Sequence, residues 1–506
     1  MRLKHVLGVL GVGIGVIAAR DLTQTRHALK RNYPVIANAR YLLERIGPEL
    51  RQYIVTSNDE ERPFTRDQRD WIYESSKGVN NYQGFGTDNN IEHTLGYPII
   101  KHRAFPESLP HNHAKETGVP AAKVMGGPRG RAKAFRPQSV INISGTSFGS
   151  LSGPAIEALN RGALAANCWH NTGEGGLSDH HRQGADLIFQ VGTAYFGCRD
   201  EGGSFDLKRL VEVVDSAPVR AIEIKLSQGA KPGLGGLLPG AKVSSEIARI
   251  RGIESGVDCI SPARHTAFDD EDSLLDFVEL LATETGLPVG IKSAVGDLAF
   301  WHRLAELMRD GSRGVDFITI DGGEGGTGAA PPTFADSVSL PFRMGFARAY
   351  GVFAAAGLTD RVYFAGSGKL GLVENAVVAF ALGADSINVA RETMLAIGCI
   401  QSQKCHTDKC PTGVATQNPW LAHGLEPVSK GERCANYIKE FRKEIVKVAE
   451  SIGVAHPALI TPDDVEMMNG DFQAQTLAEV YGYQPGWGRL GPELATEVTR
   501  LMTLPN

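Results

Sequence analysis

The feature that most constrains this chain is a rhythm that begins at Ser139. From there, short apolar runs alternate with stretches of helical spacing, the pattern of β/α units laid around a parallel sheet. The predicted strands are 139–144, 167–173, 186–191, 221–226, 289–293, 317–321, 362–365 and 386–390. A further run at 259–262 reads as part of an excursion between the fourth and fifth strands. Eight such units over about 250 residues fit a closed (β/α)8 TIM barrel better than an open doubly wound sheet. The expected class is therefore α/β, with the barrel at 139–425, a helical and irregular extension and linker at 21–138, and a C-terminal helical cap at 426–506.

Each predicted strand ends in a polar or glycine-rich group, at the end of a barrel where chemistry is placed. The first runs into Ser144, Gly145 and Thr146, the second into Asn171-Thr-Gly-Glu-Gly-Gly176, and the third carries Gln190. The fourth supplies Lys225 and then Gln228 and Lys231, and the fifth supplies Lys292. The sixth ends Asp321-Gly-Gly-Glu-Gly-Gly326, the seventh Gly366-Ser-Gly368, and the eighth at Arg391. Glycine amides at 322, 323, 325, 326, 366 and 368 suit a phosphate dianion. A lysine on the fifth strand suits the electron-rich edge of a reduced flavin. The set as a whole fits flavin mononucleotide (FMN). Glu174, Gln228 and Lys231 are candidates for proton handling and for binding a dicarboxylate, against the plainer reading of a salt bridge between adjacent loops. Arg251 falls on a helical stretch where a solvated face is the ordinary expectation.

Beyond the barrel strands, Cys399, Cys405 and Cys410 stand at C-x5-C-x4-C, and Pro411 follows the last. Three thiols at this spacing suit a three-iron, four-sulfide cluster with one thiolate per iron. A zinc site completed by His406, or a set of buried free thiols, stays open on spacing alone. With 7 cysteines in 506 residues and three of them clustered, a disulfide framework is not expected and a reducing compartment is.

Composition narrows the partners. Lys+Arg 52 against Asp+Glu 57 leaves a net charge of −5, so no nucleic acid is expected. The basic run Lys123, Arg129, Arg131, Lys133 and Arg136 is accordingly expected to be a solvated linker or a subunit contact. Val6 to Ala19 is an unbroken run of apolar residues and glycines, flanked by Arg2 and Lys4 before it and by Arg20, Arg26, Lys30 and Arg31 after it. The run is shorter than the ~20 residues of a spanning helix. It is expected to be a short anchor in the inner membrane with the body on the cytoplasmic face, the alternative being a helix packed on the domain or a partner. Farther along, 434–451 carries Ile438, Phe441, Ile445 and Val448 on one helical face.

Taken in order, Asn171 to Gly176, Glu223-Ile-Lys-Leu-Ser-Gln-Gly-Ala-Lys-Pro-Gly233, Gly325-Gly-Thr-Gly-Ala329 and the cysteine stretch running on to Gln417 resemble the flavin-binding synthase domain of glutamate synthases in its stand-alone form. The resemblance covers about 122–425 and implies FMN beside a 3Fe–4S cluster on Cys399, Cys405 and Cys410. It implies reduction of 2-iminoglutarate, formed from 2-oxoglutarate and a nitrogen donor, to L-glutamate or an N-substituted glutamate. Glu174, Gln228 and Lys231 would serve catalysis, and Lys231 and Arg251 would bind the oxo acid. Ser144, Gly145, Thr146, Gln190, Lys225, Lys292, Asp321, Gly323, Gly325, Gly326, Gly366, Ser367, Gly368 and Arg391 would hold the flavin. The chain carries no glutaminase domain of the kind the large enzymes have, and Gly323 and Glu324 depart from their sixth-strand loop. Electrons would come from a separate donor, a ferredoxin or an NAD(P)H-oxidising subunit. The competing reading is an FMN/iron–sulfur electron-transfer subunit that does not itself aminate 2-oxoglutarate. A third, a 2-hydroxy-acid oxidase, would need Arg264 and His265 as its working pair.

Overall fold

The computed structural model describes residues 2–57, 59–106, 118–470 and 473–503, with the side chains of 2–4, 6, 7 and 503 outside the description. The chain divides into two units, 1–69 and 70–506. In the first, helices Arg2–Thr23, Ala28–Asn32 and Ala37–Leu50 follow one another. Asp21, in the last turn of the first helix, ties it to the third by accepting from Arg20 Nη2 (2.9 Å), the Val35 amide (3.0 Å) and Asn38 Nδ2. The anchor expected over 6–19 falls on the first of these helices, with part of the run outside the described side chains. Among the described residues no helix is long and apolar enough to cross a membrane. The helix carries Gly8, Gly11, Gly13 and Gly15 within its apolar run and Arg20 and Asp21 in its last turn. The flanking Arg2 and Lys4 side chains lie outside the described residues.

The second unit is the predicted barrel. Its eight strands are β1 (Ile141–Ile143), β2 (His170–Asn171), β3 (Leu187–Val191), β4 (Val219–Lys225), β5 (Val289–Ser293), β6 (Phe317–Asp321), β7 (Tyr363–Ser367) and β8 (Ser386–Val389). All pair in parallel and in sequence order, and β8 closes on β1 through Ile387 and Ile141. Strands β3, β5, β6 and β7 are buried along their whole length, as strands walled by helices on one side and a filled interior on the other must be. The excursion is a small antiparallel pair, Leu237–Leu238 with Cys259–Ile260, leading into and out of helix Ser245–Arg251.

Two expectations about the surroundings are corrected. The basic segment is neither a solvated linker nor a free surface. Met125 and Phe135 exchange backbone hydrogen bonds (2.9 and 3.2 Å) in a hairpin that packs Ala121, Met125 and Phe135 against Trp169, Phe317 and Tyr363 at the strands' N-terminal ends. Its cations are clamped inward: Lys123 to Asp385 (2.9 Å), Arg131 to Asp316 (2.9 Å) and Glu279 (2.7 Å), Arg129 to Glu279 (2.6 Å), and Arg136 to Glu497 (2.6 Å). Only Lys133 stays exposed, opposite Asp215.

The C-terminal region is helical as expected, with two short strands added to it. Helix Pro427–Ile452 lies along the barrel flank against helix Gly153–Ala165. A Cβ on Gly162 would fall 2.5 Å from that of Cys434, so only glycine permits the approach. Ile438, Phe441 and Ile445 are buried as expected, but the stripe continues through Ala449 rather than Val448 because 3.6 residues per turn drifts off a strict repeat. Beyond it, Val465–Met468 pairs antiparallel with both Pro98–Ile100 and Ala474–Thr476. Strands of three and four residues fall below what apolar periodicity resolves.

Candidate functional site

The predicted strand ends do converge. Lys225, the last residue of β4, places Nζ 3.1 Å from Glu174 Oε1 and donates to Gln228 Oε1 at 2.6 Å. Burial raises the Glu174 carboxyl, but Lys225, Lys231 and Arg251 around it outweigh burial and hold it below the ordinary range. Burial lowers the Lys231 ammonium, with Glu174 opposing and Lys225 adding to the shift. Room for the carboxylate is made by Gly236, where a Cβ would sit 2.7 Å from Glu174 Oε1.

Arg251 is 5 % exposed, so it is not on a solvated face. Its Nη2 donates to Phe148 O (3.1 Å), its Nη1 reaches Cys259 Sγ (3.5 Å), and its guanidinium lies 5.1 Å from the Phe196 ring centroid. Its Nε is buried without a partner. Lys231, 6 % exposed, makes no side-chain hydrogen bond or ion pair among the described residues. Both cations are thus buried at some cost and face no carboxylate at bonding distance.

Across the barrel mouth, Asp321 at the end of β6 accepts from Ser367 Oγ (2.8 Å) and the Gly229 amide (2.8 Å), with Lys292 Nζ 3.8 Å away. Gly229 abuts the sixth-strand loop so closely that a Cβ would lie 1.7 Å from Gly322 O. The amides of Gly322, Gly323 and Gly325 are engaged by Ser367 O, Leu340 O and Gly322 O, at 2.9 Å each. A phosphate cradle made of all six glycine amides is therefore not what this loop presents. Gly326 and Gly368 remain beside it, the latter at φ +123°, and Arg391 Nη2 donates to Glu324 O. Ser144 and Gly145 follow β1, where Thr146 Oγ1 meets His170 Nε2 at 2.6 Å.

Beneath the mouth lies a residue that strand-end reasoning missed. Glu223, 2 % exposed, accepts from Asn171 Nδ2 (2.8 Å), Gln190 Nε2 (2.7 Å) and Thr319 Oγ1 (2.7 Å). Gln190 is thereby fixed from β4. The signal was available, since Glu223 stands two residues before Lys225 on the same strand face. His265, the would-be base of the third reading, is locked instead. Its Nε2 meets Lys225 O (3.0 Å), its Nδ1 meets Tyr195 OH (3.2 Å), and burial lowers it to about 4. Arg264 beside it is exposed.

The cysteine segment forms a tightly wound loop after helix Arg391–Ala396. Gln401, Gln403 and Asp408 adopt left-handed φ values of 56°, 55° and 60°, which non-glycine residues hold only when their surroundings force it. Asp408 Oδ1 accepts from the Gln417 amide (2.6 Å), and Tyr73 OH donates to Cys399 O (2.8 Å). All three thiols are free cysteines, Cys410 buried and the others half-buried. Burial raises Cys405, Cys410 raises it further, and Lys242 opposes. Among the described residues no three His, Cys, Asp or Glu side chains gather around a point that would hold a single metal ion.

The family model described as the conserved region in glutamate synthase matches residues 109–455. The glutamate synthase large subunit-like protein YerD of Bacillus subtilis is 35 % identical over 499 residues, which is 92 % of this chain and 94 % of that protein. The archaeal glutamate synthase [NADPH] of Archaeoglobus fulgidus is 34 % identical over 321 residues, covering 63 % of this chain but only 59 % of its own length. A mandelate oxidase structure aligns over 71 % of this chain and 84 % of its own, at 17 % identity and a TM-score of 0.40.

Proposed function

The chain belongs to the glutamate synthase family, and on that premise we propose that it forms L-glutamate, or an N-substituted glutamate, reductively from 2-oxoglutarate. One observation carries the reading. Lys231 and Arg251 are two buried cations that meet no carboxylate of this chain at bonding distance among the described residues, beside the Glu174–Lys225 pair at the barrel mouth. A dicarboxylate supplies the two negative charges they lack. Glu174, kept ionised by Lys225, takes up the proton released as nitrogen adds to the oxo carbon, and Gln228 fixes Lys225 for that purpose.

FMN fits the remaining residues. Gln190, Lys225 and Lys292 would line the ring, Asp321 and Ser367 would orient Lys292 and its loop, and Gly326, Gly366, Gly368 and Arg391 would take the phosphate. Ser144, Gly145 and Thr146 would close the opposite side, with Gly323 and Gly325 shaping the sixth-strand loop. When bound, the flavin supplies the hydride for the C=N carbon.

The donor set Cys399, Cys405 and Cys410 fits a 3Fe–4S cluster in kind, and such a cluster takes one thiolate per iron rather than three on one ion. That requirement agrees with thiols spread along one loop and disfavours a single zinc. The cluster would pass electrons inward from a separate donor protein.

The test uses the full chain loaded with FMN, iron and sulfide. With dithionite as reductant, 2-oxoglutarate and ammonium or methylamine should yield glutamate or its N-methyl derivative. No product with either nitrogen source, from protein that carries both cofactors, would favour an electron-transfer subunit and overturn the proposal.

A further inference from the structure

Lys242 has no part in the roles assigned so far, and no spacing in the sequence singles it out. It closes the turn Gly240–Lys242, just before helix Ser245–Arg251, and is 2 % exposed. Its Nζ donates to Ser150 O (2.7 Å), Ala415 O (3.3 Å) and Cys405 O (3.4 Å). Three acceptor oxygens require three donors. Only the ammonium has them, because a neutral amine would turn its lone pair on one of the carbonyls.

The three carbonyls come from different pieces of chain. Ser150 ends the loop after β1, Cys405 lies inside the thiol loop, and Ala415 follows it. One cation therefore ties the thiol loop to the β1 loop and to the helix that carries Arg251. No carboxylate lies within ion-pair distance of Lys242 among the described residues, so the cost of burying the charge is not met by an ordinary salt bridge. Negative charge on the neighbouring sulfurs would meet it.

We propose that Lys242 is a positioning residue that sets the reduction potential of the iron–sulfur site, its fixed positive charge favouring the more reduced state. The inference rests on the cluster assigned above. Reduction there adds one electron, supplied by the donor or by dithionite in vitro, and one negative charge, with no bond made or broken. A buried cation at the backbone of a ligand residue stabilises that added charge far more than a solvated one would.

The experiment compares full-length wild type, Lys242→Gln, Lys242→Met and Lys242→Arg, each reconstituted with FMN, iron and sulfide. The readouts are iron per chain, FMN per chain, and the midpoint of a dithionite titration followed by the paramagnetic signal of the oxidised cluster. Both neutral variants should be harder to reduce, by tenfold or more in the equilibrium constant, or about 59 mV for one electron. Lys242→Arg should stay within threefold of wild type, and FMN content should not change. Gln retains hydrogen-bond donors, so a merely structural role would leave its midpoint at the wild-type value. Loss of iron from both neutral variants while Lys242→Arg stays loaded would show that Lys242 holds the loop together rather than sets its potential, and would overturn the proposal. Neutral variants loaded with iron and titrating at the wild-type midpoint would overturn it. Wild type that takes up no iron would overturn the cluster assignment instead.

Discussion

At the N-terminal end of the barrel, Lys123, Arg129, Arg131 and Arg136 each meet a carboxylate, whereas at the C-terminal end Lys231, Lys242 and Arg251 are buried and meet none at bonding distance. The two ends share one sheet and one core. What differs is whether the charge account closes within the chain. A closed account is what stability asks for, and buried cations without a carboxylate partner are best explained where something else supplies the anion. The comparison teaches that the polarity of this barrel is read from the partners of its cations rather than from their number.

The contrast breaks first at its closed end. Lys123→Ala leaves Asp385 buried beside the Phe364 amide with its cation gone and should cost about 3–5 kcal/mol in chemical denaturation. Turnover per folded molecule should not change. A loss under ~1 kcal/mol would mean that the clamp is not structural.

At the open end the expectation is reversed. Lys231→Ala should lower turnover with 2-oxoglutarate by about 10²–10³-fold, leave bound FMN in place and leave stability unchanged or raised, since a costly buried charge is removed. Retained turnover would remove Lys231 from the site.

The histidines sharpen the contrast with pH. Burial depresses His181, His265 and His456 to about 4 in the folded protein. The unfolded chain therefore binds more protons between about pH 6.5 and 4, and the stability these rings contribute is present above that window and lost as pH falls through it. The slope should approach about 1.4 kcal/mol per pH unit for each ring in denaturant midpoints taken from pH 7 to pH 4.5. A flat profile would show that the rings are not buried as neutral groups. The smallest effect belongs to Lys133, the exposed member of the basic segment. Lys133→Ala should move stability by no more than ~0.5 kcal/mol in the same assay.

The sequence disclosed the barrel because each strand is a short apolar run between glycines and polar residues, and the bounds of β5 and β6 are matched residue for residue. The meeting of Glu174, Lys225 and Gln228 was legible for the same reason, since barrel strands deliver their ends to one face. What was not legible is long-range. Lys123 finds Asp385 across 262 positions, so a run of cations that looks solvated in isolation becomes a clamp. Lys242 touches Ala415 across 173 positions, through carbonyls that carry no sequence signature. The glycines of the sixth-strand loop were correctly located, yet three of their amides are engaged by Ser367 of β7, by Leu340 and by the loop's own Gly322, which glycine content cannot foretell.

The central claim is that Lys231 and Arg251 await the two carboxylates of an oxo acid. Calorimetric titration of the FMN-loaded full chain with 2-oxoglutarate and with 2-oxobutyrate, which lacks the second carboxylate, tests it directly. The account predicts at least tenfold tighter binding of 2-oxoglutarate, with the gap closing in Arg251→Ala. Equal affinity for the two acids, or a gap that survives the substitution, would contradict it.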